Sequence, residues 1–231
     1  SQLYLVTQKL QDTQAHDYSV NRVTTGIGSN YDNDGATGLN ALAAGVSAKA
    51  DGNYAVAGGA SAAAVAQSIT AVGSFAGTNS VSGYDTAVGY AAGNNITPVA
   101  VNIGGGVMVT GRNTSIGGEA GNNIQGSLNT FVGANTGRTI NGSSNTALGS
   151  NAAVSVTGNW NTAVGYSSGR SVTGNSNLAL GQTAGNSVSS DYNIGVGVGA
   201  GANISGGHNN ISIGSNTGQS VTGGSNYAIG T

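Results

Sequence analysis

The chain repeats itself with a sixteen-residue period over most of its length, and a period of that size admits few folds. The register mark is an Asn followed two residues later by a small residue, then an aliphatic, then Gly. It reads NTSIG at Asn113, NTFVG at Asn129 (Phe for the small residue), NTALG at Asn145 and NTAVG at Asn161. It continues as NLALG at Asn177, NIGVG at Asn193, NISIG at Asn210 and NYAIG at Asn226. The spacing is constant from mark to mark, except that the step from Asn193 to Asn210 gains one residue. A second mark, Val or Ile behind a small residue and usually Gly, falls at Ile124, Ile140, Val156, Val172, Val188, Ile204 and Val221. Upstream the pattern loosens, with aliphatic marks at Leu42, Val56, Val72 and Val88. Ile103 reads as a further turn between Val88 and Ile116, and Ile27 as one before Leu42. The expectation is fourteen turns between Gly26 and Thr231.

Each turn holds two short β-branched stretches separated by Gly, Asn and Ser, which read as strands bounded by turns. Helix is disfavoured, because Gly supplies 42 residues and recurs every few positions. A single turn buries nothing alone. Stacked turns do, and equivalent positions then line up in columns ~4.8 Å apart. The expected architecture is all-β, a parallel β-solenoid roughly 65–70 Å long by that spacing.

Side chains alternate along a strand, so Thr162 and Val164 share a face and Ala163 takes the other. The reading places the Thr162 and Val164 columns inward, opposite the Val172 column. The Ala163 column is kept small, as at Ala147, Ala163, Ala179 and Ala228 with Phe131 as the exception, which suggests another backbone close by. With a thin core, that column is expected to face a partner subunit. The Asn column admits two readings, an amide ladder along the rod or a turn conformation that Asn happens to favour.

Composition excludes several classes. There is no Cys, so no disulfide and no thiolate metal site. His16 and His208 alone could supply imidazole, and His208 falls where a turn gains its extra residue, as in a surface bulge. A formal charge of −2 with six basic residues lacks the footprint of a nucleic-acid binder. The Gly runs at 104–106 and 195–201 lack the Lys and following helix of a phosphate loop. Calcium-binding nonapeptide repeats need periodic Asp, and no Ser is matched by a His and an acid in register. The sequence therefore argues against an enzyme and calls for no cofactor or metal. The Thr114, Thr130, Thr146 and Thr162 column suggests ice binding, although a flat ice-binding plane wants two outward Thr columns.

The column before the Asn mark reads Tyr84, Arg112, Leu128, Ser144, Trp160, Ser176, Tyr192, Asn209 and Ser225. Its large residues Leu128, Trp160 and Tyr192 recur every second turn, and Arg138 and Arg170 occupy another column, also two turns apart. Aromatic and Arg side chains anchor protein interfaces, so these five are the candidate binding residues. The competing reading is that both columns pack at corners of the rod.

NALAAGVSAKADGNYAVA (40–57) and NTAVGYSSGRSVTGNSNLALG (161–181) resemble the head repeats of trimeric autotransporter adhesins, the YadA-like family. The resemblance spans residues 26–231, although most turns here are two residues longer than that family's typical turn. It implies a left-handed β-roll, a homotrimer, display on a bacterial cell surface with outer-membrane anchoring through parts outside this chain, and virulence-related adhesion. The implied partners are host matrix proteins (collagen, fibronectin or laminin class) or cell-surface receptors. The alternatives are a phage-tail-like structural trimer or an ice- or carbohydrate-binding solenoid. Residues 24–231 are expected to form the roll. Residues 1–23 hold Lys9, Asp12, Asp17 and Arg22 and read as a cap or connector. No apolar run is long enough to span a membrane.

Overall fold

The structure, a computed structural model, describes residues 34–98, 100–103, 106–109 and 111–230. The expected cap at 1–23 and the turn at Ile27 lie outside the described residues. Twelve parallel strands, each three residues long, stack into one sheet, from Leu42–Ala44 to Tyr227–Ile229. A second sheet of two-residue strands runs along it, Ile124–Gln125, Ile140–Asn141, Val156–Thr157 and Val172–Thr173. The fold is a parallel β-solenoid of about eleven turns. Equivalent residues pair across each turn, as in Thr146 with Thr162, Ala147 with Ala163 and Leu148 with Val164.

Two features depart from the expected repeat, and the first lowers the turn count. Thr86–Val88 pairs directly with Thr114–Ile116, a step nearly twice as long as the usual one. The chain between them leaves the roll as an antiparallel hairpin, Ala100–Ile103 against Gly106–Val109. Ile103 therefore marks no turn. At the N-terminal side Leu42 pairs with Val56 and Val56 with Thr70, so both steps are two residues shorter than those downstream. The aliphatic mark has changed place there: Leu42 and Val56 begin their strands, whereas Val72 and Val88 end theirs.

The expected faces are reversed. Ala147, Ala163 and Ala179 are buried inside the chain's own roll, Ala228 is half-buried on the same side in the last turn, and Phe131 is fully buried. The neighbouring Leu148 is 48% exposed against 1% for Ala147, and Val72, Ile116 and Ile213 are exposed in the same outward column. A backbone does lie against the Ala column, but it belongs to the same turn. A Cβ built on Gly169 would lie 2.7 Å from the Ala163 Cβ, and one on Gly185 equally close to that of Ala179. Only Ala, Ser or Gly fits such a gap. Phe131 is admitted because its ring occupies the space over Gly137, where any Cβ would overlap it. The Val and Leu side chains are too large for the inside and take the outside.

Opposite the small column stand Ile96, Ile124, Ile140, Val156, Val172, Val188 and Ile204, all buried, which supply most of the apolar core downstream. The shorter turns upstream are narrower and filled almost wholly by Ala, with Ile69. At the corner after each long strand a Gly column holds φ near +130°, as at Gly165, where a Cβ would lie 2.7 Å from the carbonyl oxygen of Gly181. That combination of conformation and stacking excludes every other residue.

Ala163→Asp forces an unpaired carboxylate into the gap before Gly169 and should cost several kcal/mol. Val164→Asp points outward and should leave the strand content intact. Circular dichroism with limited proteolysis around residues 161–181 checks this, and equal loss of structure in the two variants would contradict the faces assigned here.

Candidate functional site

The Asn column forms a ladder. Each Asn donates both its backbone N–H and its Nδ2 to the Oδ1 one turn back: Asn129 to Asn113, Asn145 to Asn129, Asn161 to Asn145, and so on to Asn226 on Asn210. The same Nδ2 also reaches a turn carbonyl, as from Asn161 to Gly174 at 2.8 Å. Buried amides are thereby satisfied from end to end. The ladder stops on Asp85, whose Oδ1 accepts the N–H and Nδ2 of Asn113 at 2.7 and 3.1 Å.

A second ladder occupies the neighbouring corner and runs the opposite way. Ser143 N–H donates to Asn159, Asn159 to Asn175, and Asn175 to Asp191 at 2.7 Å. The Asp191 N–H then donates to Nδ1 of the exposed His208, in the turn that carries the extra residue. Asp85 and Asp191 accept as Asn does but bring no amide donor that would need a partner.

Asp85 is 2% exposed. Its carboxyl is pushed up to about 6, chiefly by burial, against the bonds from Asn113 and the nearby Ser82 and Ser80 hydroxyls. The neighbouring Arg112 does not pair with it; its guanidinium lies 5.9 Å from the centre of the Tyr84 ring.

The candidate binding residues lie between the two ladders. Leu128, Trp160 and Tyr192 have φ of 62°, 57° and 59°, and the whole column shares this left-handed conformation, including Ser144, Ser176 and Asn209. Trp160 is 63% exposed, so its indole gains little packing from its own chain. A bulky residue in this conformation costs of order 1 kcal/mol. With the hairpin looped out and the shorter turns placed, Tyr84 and Tyr54 join the series, both exposed and with φ of 62° and 59°. Tyr54, Tyr84, Leu128, Trp160 and Tyr192 thus occupy every second turn, about 9–10 Å apart by strand spacing. Tyr54 was hidden in the sequence because its turn is two residues shorter. At the far end Tyr192 and Tyr227 border an open groove of about 470 Å³, also lined by Ile194 and Ile211.

Arg138 and Arg170 are not part of this stripe. They sit at the opposite corner, between the end of a long strand and the start of a short one, whereas Trp160 stands between the short strand Val156–Thr157 and the long strand Thr162–Val164. Arg138 is half-buried and pairs with Glu119 at 3.4 Å, while Arg170 is exposed. The Arg corner carries its own aromatics, Phe75 edge-on to Tyr90 at 6.0 Å and the exposed Tyr166. Among the described residues no group of three His, Cys, Asp or Glu could hold a metal, and no helix is long and apolar enough to cross a membrane. No protein-family model and no curated protein sequence matches the chain.

Two outcomes are expected. Asn161→Leu strands the Asn177 donors and the Gly174 carbonyl, which at 1–3 kcal/mol per orphaned group should cost roughly 3 kcal/mol or more in urea unfolding. Asn226→Leu, at the exposed end, should cost about 1 kcal/mol. Asp85 is raised above its unfolded value near 4, so the folded state holds its proton more tightly. In chelator-containing buffer its contribution should favour folding below about pH 4 and decline as pH rises through 6, by about 3 kcal/mol for a two-unit shift. Asp85→Asn keeps the Oδ1 acceptor and should flatten that decline; an unchanged pH profile would contradict it.

Proposed function

We propose that the chain is the adhesive head of a trimeric bacterial surface protein, binding host matrix proteins or cell-surface receptors through repeated weak contacts. The observation that carries this reading is the stripe: five bulky residues, at alternate turns, about half exposed or more and held in a backbone conformation that costs energy. A row of similar weak sites on a rod, multiplied by copies on a surface, suits avidity-driven attachment. Its period of about 9–10 Å is close to one turn of a polyproline-II chain, three residues at about 3.1 Å each, the conformation of collagen strands.

Trimerisation is supported by the outward face of the long sheet rather than by its Ala column. Ten of its twelve strands end on an outward Val, Ile or Leu, and the first column carries Thr, Leu and Ile in register. Further copies of the chain would cover this aliphatic row, which recurs along the whole sheet. The same face favours a second reading. Thr70, Thr86, Thr114, Thr130, Thr146 and Thr162 are stacked outward, as an ice-binding plane requires of one of its columns.

Trp160→Ala with Tyr192→Ala should lower adhesion to immobilised matrix proteins severalfold, while light-scattering mass and melting temperature stay near the native values. Full adhesion with a melting temperature lowered by many degrees would make the stripe a packing element. A native chain of 22.2 kDa running as a folded monomer would remove the trimer. Thermal hysteresis without matrix binding would favour the ice reading.

A further inference from the structure

Among the described residues, five buried polar atoms lack a hydrogen-bond partner: Ser80 Oγ, Ser82 Oγ, Asp85 Oδ2, Ser115 Oγ and Asn122 Oδ1. Ser80, Ser82 and Asp85 fall in the turn that leads into Thr86–Val88, and Ser115 and Asn122 in the turn that begins at Thr114, beyond the one that carries the hairpin. Unsatisfied buried groups are rare in folded chains, and a cluster of them points to a bound species. Three of the five converge, since the Ser80 and Ser82 hydroxyls lie near the Asp85 carboxyl without making a hydrogen bond of good geometry to it.

The charge at Asp85 is the informative part. In seven later turns an Asn in this column accepts the same two bonds without charge, from Asn113 through Asn210. Accepting those bonds therefore requires no charge, and the Asp at this end leaves one buried. Buried carboxylates sit beside a cation or on a metal. The ion pairs among the described residues are Lys49–Asp51 and Arg138–Glu119, and Arg112 is turned to Tyr84. Gly111 packs directly against this group, and no other residue would fit there. A Cβ there would overlap Ser82 Oγ and the Gly83 carbonyl and stand 2.7 Å from Asp85 Oδ1.

We propose that Asp85 Oδ2, Ser80 Oγ and Ser82 Oγ bind a Ca²⁺ ion at the root of the hairpin, with water completing its shell. An oxygen-only set with one carboxylate suits a hard cation, and Ca²⁺ tolerates the irregular geometry that Mg²⁺ does not. So few protein ligands place the affinity at about 10⁻⁴–10⁻³ M, the range of extracellular calcium modules. The ion neutralises the buried carboxylate, whose other oxygen already holds the returning chain at Asn113. This inference is independent of the adhesive reading.

The test is terbium luminescence on the whole chain, excited through Tyr84 next to the site, followed by displacement with Ca²⁺. Sensitised emission should appear and be displaced by Ca²⁺ in the range above, with a melting temperature higher in Ca²⁺ than in chelator. Asp85→Asn keeps the ladder's acceptor, and Ser80→Ala with Ser82→Ala keeps both ladder and charge. Each variant should lose the emission and the Ca²⁺ effect on melting, about tenfold or more in affinity, while Asp191→Asn on the second ladder keeps both. Absence of emission and of a Ca²⁺ effect on melting in the native chain overturns the proposal. So does emission that persists in both site variants, or that Asp191→Asn abolishes.

Discussion

The two walls of the roll stand so close that the gap between them admits little more than one Cβ. Ala163 meets the backbone of Gly169 across that gap, and the same contact recurs turn after turn. From this spacing follow the small inner column, the glycines facing it and the exclusion of Val and Leu to the outside. It also limits how much apolar surface a single chain can bury. The larger inner side chains come almost entirely from the second wall, at Ile124, Ile140, Val156 and their equivalents. Burial is then shared between this thin core and whatever covers the outward aliphatic strip.

A core this thin holds its register by hydrogen bonds. Asn in the buried column accepts the next Asn's backbone N–H and donates to its other neighbour's Oδ1 and to a turn carbonyl at once, so a one-residue slip would orphan several groups together. The ladders also have direction. One runs back along the chain to Asp85, the other forward through Asp191 to His208. The difference between those ends is burial. Asp191 reaches the surface beside His208, whereas Asp85 is enclosed, and its charge is what distinguishes the root of the hairpin from every other turn.

Corners carry what the core cannot. The second position before each long strand is left-handed in every described turn, a conformation suited to Asn, Ser or Gly. Large apolar and aromatic residues persist there at alternate turns, with Ser68, Arg112, Ser144 and Ser176 between them. A rod built this way presents side chains at a spacing fixed by the sheet and independent of side-chain packing, and so suits a repeating ligand.

Periodicity alone determined that the chain is a parallel β-solenoid, that the Asn marks stack and that Leu128, Trp160 and Tyr192 share a line, because stacking at a constant period is forced once each turn needs a neighbour to bury its apolar positions. It left the Asn column between a ladder and a turn, since both use the same residue, and the backbone geometry chose the ladder. Tertiary structure alone decided which face is inside. Alternation in TAV separates Ala from Thr and Val but does not orient them, and the expectation that the larger aliphatics go inward fails where the opposite wall is one Cβ away. It decided that Ile103 belongs to a hairpin, because an excursion of nearly one repeat length imitates a turn in the sequence and only strand pairing from Thr86 to Thr114 reveals it. It parted Arg138 and Arg170 from the stripe, because two columns with the same period can lie on opposite corners. And it brought Ser80, Ser82 and Asp85 together beneath Gly111, a juxtaposition created where the hairpin interrupts the repeat and therefore written in no repeating pattern.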